Sequence, residues 1–200
     1  MKVLGVTGTI GSGKSTVCRI LEQLGCPVVD ADLEAHMTYR RGTRTWEAVV
    51  SAFGERVLTS EGEIDRKALG SIVFANDEAL ALLNSIVHPA TRRRVKRRLT
   101  RLRNEGRAWT AVEATLLIEA GWLDAIDRLW VVTAPRDVVM ARLARDRGQG
   151  AHAVRTRMAR QMPAERMMEY ADDIIYNDGD MQALEERVRA LWNALIRQPA

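Results

Sequence analysis

One eight-residue stretch near the start of the chain limits its fold more than any other feature: Gly8-Thr-Ile-Gly-Ser-Gly-Lys-Ser15, a full match to GxxxxGKS. An apolar run, Lys2 to Thr7, leads directly into it, and a helical pattern from Ser15 to Leu24 follows. Strand, glycine loop and helix in that order form a phosphate cradle. Gly8, Gly11 and Gly13 tolerate positive φ, so successive N–H groups can turn inward, and the helix N-terminus adds partial positive charge. Lys14 is expected to bridge the β- and γ-phosphates of ATP, and the Ser15 hydroxyl to ligate Mg²⁺. Ser12 and Thr16 complete the expected ATP-binding set. The motif specifies a nucleotide and leaves the reaction open, since GTPases, motor ATPases, transporters and small-molecule kinases share it. No NKxD-like guanine-reading sequence appears on a later strand, and 200 residues are too few for a large ATPase module. A compact kinase is the favoured class.

Further apolar runs at Pro27 to Asp30, Ala108 to Ala114, Asp127 to Thr133 and Asp172 to Tyr176 read as buried strands. Helical patterns separate them, including Arg136 to Asp146 and a C-terminal one on which Met181, Leu184, Val188, Leu191 and Leu195 recur. The alternation predicts an α/β fold with a five-stranded, parallel, doubly wound sheet flanked by helices. With 46% hydrophobic residues, the chain can bury one substantial core, so a single domain is expected. Its nucleotide-binding core would comprise 1–32, 108–141 and 171–200. The stretch 33–107 is too long for a simple crossover and has helical patterns of its own, Lys67 to Val73 and Asp77 to Ile86, which predicts an inserted helical substrate subdomain. The Arg- and Met-rich excursion 142–170 is placed to act as a lid.

Lys and Arg outnumber Asp and Glu by 30 to 26, a formal charge of +4. That balance suits phosphates and does not demand nucleic acid, so no nucleic-acid partner is expected. The glycine motif follows the first residues too closely for a signal peptide, and no apolar stretch approaches the roughly 20 residues of a membrane span. A cytoplasmic, monomeric protein without membrane contact is expected. Cys18 and Cys26 lack a metal-ligand pattern and read as buried, inert thiols.

Asp30 and Asp32 follow the second strand at its carboxyl end, where ligands bind in such sheets. A catalytic role for at least one competes with a helix cap, which needs only one and would use Asp32 for a helix beginning at Leu33. With these residues in view, the chain resembles the dephospho-coenzyme A kinase family. The resemblance rests on an ordered set: Thr7 to Thr16, Val28-Val-Asp-Ala-Asp32, Ile64-Asp-Arg66, His88-Pro89, Thr115-Leu-Leu-Ile-Glu119 and Ala171-Asp-Asp-Ile-Ile-Tyr-Asn177. It implies phosphorylation of the ribose 3′-hydroxyl of dephospho-coenzyme A by ATP with Mg²⁺, the final step of coenzyme A biosynthesis. It also implies that Asp32 is the base that takes the hydroxyl proton. The chain departs from the family pattern at Thr9 and Thr115, where a glycine and a proline are usual, and at Glu113, where Asp is common.

Other residues have two readings. Glu113, ending the third strand, is a candidate Mg²⁺ partner through water or a carboxylate capping the strand end. Among the lid arginines, Arg142, Arg145 and Arg147 compete for ATP, with Arg145 the first choice as a catalytic cation. His88 is a candidate substrate contact, although His88-Pro89 also reads as a helix start. The run Arg92-Arg-Arg-Val-Lys-Arg-Arg98, extended by Arg101 and Arg103, is a solvated helical face or a patch for an acidic partner. Trp109, Trp122, Trp130 and Trp192 read as core or near-core. Rival functions are another small kinase acting on a nucleoside monophosphate, and a nucleotide-binding protein without catalysis.

Overall fold

A computed structural model describes residues 1–147 and 161–197, with side chains for 1–142 and 161–197. Residues 148–160 of the expected lid lie outside the described residues. Among the described residues the strands are β1 (Lys2–Gly8), β2 (Val28–Asp30), β3 (Trp109–Glu113), β4 (Arg128–Thr133) and β5 (Asp173–Tyr176). The helices are α1 (Lys14–Gln23), α2 (Ala31–Thr38), α3 (Arg44–Phe53), α4 (Arg66–Val73), α5 (Asp77–Asn104), α6 (Arg136–Arg147), α7 (Ala164–Met168) and α8 (Met181–Arg197).

The strands form one sheet in the order β2-β3-β1-β4-β5. The β1–β3, β1–β4 and β4–β5 ladders are parallel. Because the chain goes from β1 outward to β2, then from β3 across β1 to β4, the order reverses beside β1. In open α/β sheets the carboxyl end of the strands at such a reversal is where ligands bind. The register pairs Val6 with Glu113 and Gly8 with Val132, which brings the end of β3 and the end of β4 to the glycine loop.

The chain divides into two compact units, 1–29 with 102–200, and 30–101. In the first, Leu4 and Val6 of β1, Trp130 and Val132 of β4 and Ile175 of β5 share a core with Val17, Ile20 and Leu21 of α1 and Leu184, Val188, Trp192 and Leu195 of α8. Each large apolar side chain fully removed from water contributes about 1.5–3 kcal/mol. The polar end of Trp130 is satisfied by Asp173, whose Oδ2 accepts from the indole Nε1 at 3.0 Å and from Arg128 Nε at 3.0 Å. Asp172 accepts from the Leu129 amide at 2.7 Å. These two adjacent acids join the paired strands β4 and β5.

The second unit is helical. Trp46, Val49, Val50 and Phe53 recur at helical spacing on α3, and Val49 and Phe53 enter a core with Val57, Leu69, Val73 and Val87. Asp65 caps α4, accepting from the amides of Lys67 and Ala68 at 2.8 and 3.2 Å. Glu34 of α2 pairs with Arg94 of α5 at 2.7 Å and with Arg98 at 3.6 Å.

Two sequence expectations change here. The cap of α2 is Asp30, not Asp32, and the helix begins at Ala31: extended backbone at Asp30 lets its Oδ1 accept from the Leu33 amide at 2.8 Å. His88-Pro89 does not start a helix but lies inside α5, 28 residues long. Proline interrupts the backbone ladder there, yet Val87, Ala90 and Val95 are buried on both sides of it and hold the helix through.

Candidate active site

Between β1 and α1 the loop turns through left-handed backbone at Gly8 (φ 148°), Gly11 (φ 79°) and Gly13 (φ 103°). Two of these glycines are required by space as well as by φ. A Cβ at Gly8 would run into the carbonyl oxygen of Val132, and one at Gly13 into Nδ2 of Asn177. The loop is therefore pressed between the ends of β4 and β5. Lys14 is buried and folds back over the loop, its Nζ donating to the carbonyls of Gly8 at 3.0 Å and Thr9 at 3.1 Å. That places the ammonium across the mouth of the cradle, where β- and γ-phosphate oxygens would meet it. The amides of Thr16 and Val17 bond to the Gly13 carbonyl at 3.0 and 3.1 Å, so α1 starts from the loop itself.

Glu113 reaches this loop because β3 ends beside β1. Ser15 Oγ donates to Glu113 Oε1 at 2.6 Å, the short length of a hydroxyl bound to an ionised carboxylate. Two hard oxygens, a hydroxyl and a carboxylate, are thus held together at the start of the phosphate-binding helix. That donor chemistry fits Mg²⁺, which uses one or two protein oxygens and completes its shell with water and phosphates. Below them Cys18 is buried. Desolvation raises its thiol well above the usual range, and the Glu113 charge adds to the effect, so it is not a nucleophile at neutral pH. Cys26 is likewise pushed up, to about 12, by burial.

Asn177, at the end of β5, is 6% exposed and joins the loop to α6. Its Nδ2 donates to the Ser12 carbonyl at 2.8 Å, and its Oδ1 accepts from Arg142 Nη2 at 3.2 Å. Its own amide is fixed on the Thr133 carbonyl at 2.7 Å. Among the described residues, two buried polar atoms at this junction lack a hydrogen-bond partner: Ser12 Oγ and Arg142 Nη1. Buried groups of this kind are nearly always satisfied, so their presence at a phosphate loop marks where a ligand's oxygens would sit. The backbone within the loop is also held, the Ile10 amide donating to Gln161 Oε1 at 3.0 Å.

The structure thus brings together Gly8, Gly11, Ser12, Gly13, Lys14, Ser15, Thr16 and Glu113. Arg145 and Arg147 lie on α6, but their side chains fall outside the described residues. Arg142 is the lid-side arginine seen to join the loop. Asp32 and His88 belong to the second unit. Asp32 stands exposed in the first turn of α2. His88 is half-buried on α5, and desolvation lowers its pKa, favouring the neutral ring. Sequence reasoning gave no role to Asn177. Asn177 stood in a recognisable ADxxIxN run, but its partner lies 165 residues away.

Residues 2–183 match the family model described as dephospho-CoA kinase. A dephospho-CoA kinase of Geobacter metallireducens is 44% identical, covering 99% of this chain and 98% of the relative. Among solved structures, a Thermus thermophilus protein superposes with a TM-score of 0.83 at 34% identity, covering 97% of each chain. A dephospho-CoA kinase from Campylobacter jejuni does so with a TM-score of 0.72 at 30% identity, covering 98% of each.

Proposed function

This chain belongs to the dephospho-CoA kinase family, and from that premise we propose how its own residues phosphorylate the ribose 3′-hydroxyl of dephospho-coenzyme A. The overall reaction consumes ATP and yields coenzyme A and ADP. In our reading, Asp32 takes the proton of the 3′-hydroxyl as that oxygen attacks the γ-phosphorus. The bond to the β–γ bridging oxygen breaks, and ADP leaves with its electron pair. Lys14 and Arg142 offset the negative charge that builds on the transferring group, which is the larger part of such catalysis. Asn177 keeps Arg142 against the loop. Mg²⁺, held by Ser15 and by Glu113 directly or through water, would neutralise the β- and γ-phosphate oxygens. The helical unit, with His88, is proposed to hold the acceptor, and the excursion 142–170 to close over ATP. No helix among the described residues is long and apolar enough to cross a membrane. The reading includes a monomer acting in the cytoplasm without nucleic acid.

The observation supporting the nucleotide half most directly is the pair of buried atoms, Ser12 Oγ and Arg142 Nη1, left without a partner among the described residues beside the glycine loop. The acceptor half is tested by Asp32→Asn. The amide keeps the size of the side chain but cannot take a proton, so turnover should fall by ~10² to 10⁴ while ATP affinity holds. Wild-type turnover in that variant would remove Asp32 from the mechanism.

A further inference from the structure

The helical unit contains a cavity of about 590 Å³ that the reaction above does not use. One wall is the turn from α2 to α3, including Thr43 and Thr45, and the other is a face of α5 bearing Arg93, Arg94, Lys96 and Arg97. Among the described residues, four cations line it and no carboxylate does. They are not equivalent. Arg94 is paired with Glu34 at 2.7 Å, and Glu34 is further offset by Arg98. The side chains of Arg93, Lys96 and Arg97 make no hydrogen bond or ion pair among the described residues. Arg93 and Arg97 stand four residues apart, a spacing at which like charges repel on a helix. Three such cations crowded at one opening form a site that a multivalent anion would relieve.

The opposite wall adds to this. The Thr43 hydroxyl accepts from the Trp46 amide at 3.1 Å and so caps one first-turn donor of α3. The first-turn amides of Arg44 and Thr45 have no partner within the helix, and the helix dipole adds positive character where Thr45 lines the cavity. The cavity is also separate from the acceptor carboxylate. At about 100° per residue, Met37 and Thr38, which line it, lie about 140° and 120° around α2 from Asp32. It opens on the side of α2 turned away from that carboxylate. Among the described residues no aromatic ring lines it to stack a base, and a concavity of this size suits a small molecule better than a flat macromolecular surface.

We propose that this cavity is a second anion site, distinct from the phosphate loop and from the acceptor site, that takes a di- or triphosphate group, free or carried on a nucleotide. The test is calorimetric titration of inorganic tripolyphosphate, and in a second arm ATP, into full-length protein carrying Lys14→Ala, which disables the phosphate loop. We expect one saturable tripolyphosphate site, weakened at least ~10-fold when Arg93→Gln and Arg97→Gln are added, as loss of two charge-assisted contacts implies. Adding Arg103→Gln and Arg107→Gln instead, an equal charge change outside the cavity, should leave it nearly intact. Comparable affinity in the two arms points to the phosphate chain alone, and tighter ATP binding, still lost with Arg93 and Arg97, to a nucleotide. Absence of a saturable site overturns the proposal, as does equal weakening by the control pair. In otherwise wild-type enzyme, Arg93→Gln with Arg97→Gln should leave the KM for dephospho-coenzyme A unchanged. A KM raised ~10-fold would instead make the cavity part of the acceptor site and refute its separateness.

Discussion

Replacing Asn177 by Ala tests whether the phosphate loop and Arg142 act as one assembly. The side chain is 6% exposed and makes two bonds, one to the Ser12 carbonyl at 2.8 Å and one from Arg142 at 3.2 Å. Removing it strands a buried carbonyl, at about 1–3 kcal/mol, and a bond to a charged group, at about 1.5–3 kcal/mol. Water entering the space left by the amide recovers some of this, so a net loss of about 3 kcal/mol is expected, or about 6–12 °C in Tm for a chain of this length. Turnover should fall by ~10- to 100-fold at temperatures where the variant is folded, because a cation meant for the transferring phosphate loses its anchor. Differential scanning calorimetry and steady-state kinetics measure the two effects separately. Asn177→Asp separates the two bonds: it keeps an acceptor for Arg142 but loses the donor to Ser12 and puts a negative charge at the loop. It should raise the KM for ATP more than it lowers kcat. An Asn177→Ala protein that melts within about 2 °C of wild type and turns over normally would refute the coupling.

Lys14→Ala should abolish transfer and weaken ATP binding, read by turnover and by nucleotide titration, because the ammonium meets the phosphates in both ground and transition states. Glu113→Gln should raise the Mg²⁺ concentration needed for half-maximal rate, with nucleotide affinity at saturating metal little changed. Gly13→Ala should destabilise the fold and depress ATP binding together, since the new methyl meets Asn177 in a left-handed backbone position. Cys26 has a pKa raised from 9.0 to about 12 by burial. Its neutral form is favoured by the fold, so this contribution is complete below pH 9 and is lost as pH rises toward 12. Alkaline melting curves should show stability falling across that window, less steeply in Cys26→Ala, and neither thiol should react with a disulfide reagent at pH 7 before unfolding.

Local signals carried much of this structure. The glycine loop was readable because its chemistry depends on residue types at fixed spacing, and each strand was located to within a residue at either end because buried parallel strands are continuous apolar runs. What escaped depended on partners distant in sequence. Asn177 meets the Ser12 carbonyl only when β5 lies beside the loop, so it does not signal its role alone. The capping choice between Asp30 and Asp32 turned on backbone conformation, since either side chain is able to cap. Pro89 suggested a helix boundary, and burial around it overrode that local preference within α5. Helix α3 passed unnoticed although Trp46, Val49, Val50 and Phe53 mark its apolar face, and Thr43 its cap.

In the proposed reaction, phosphate moves from ATP to one particular hydroxyl. Incubating the protein with ATP, Mg²⁺ and dephospho-coenzyme A, and following the mixture by phosphorus NMR, reads the acceptor atom directly. The expected result is loss of the γ-phosphate resonance, growth of ADP, and one new phosphomonoester coupled to the ribose 3′-proton. Adenosine or uridine monophosphate in place of dephospho-coenzyme A should give no product at a comparable rate. A phosphomonoester at another position, or faster ADP formation with a nucleoside monophosphate, would contradict it.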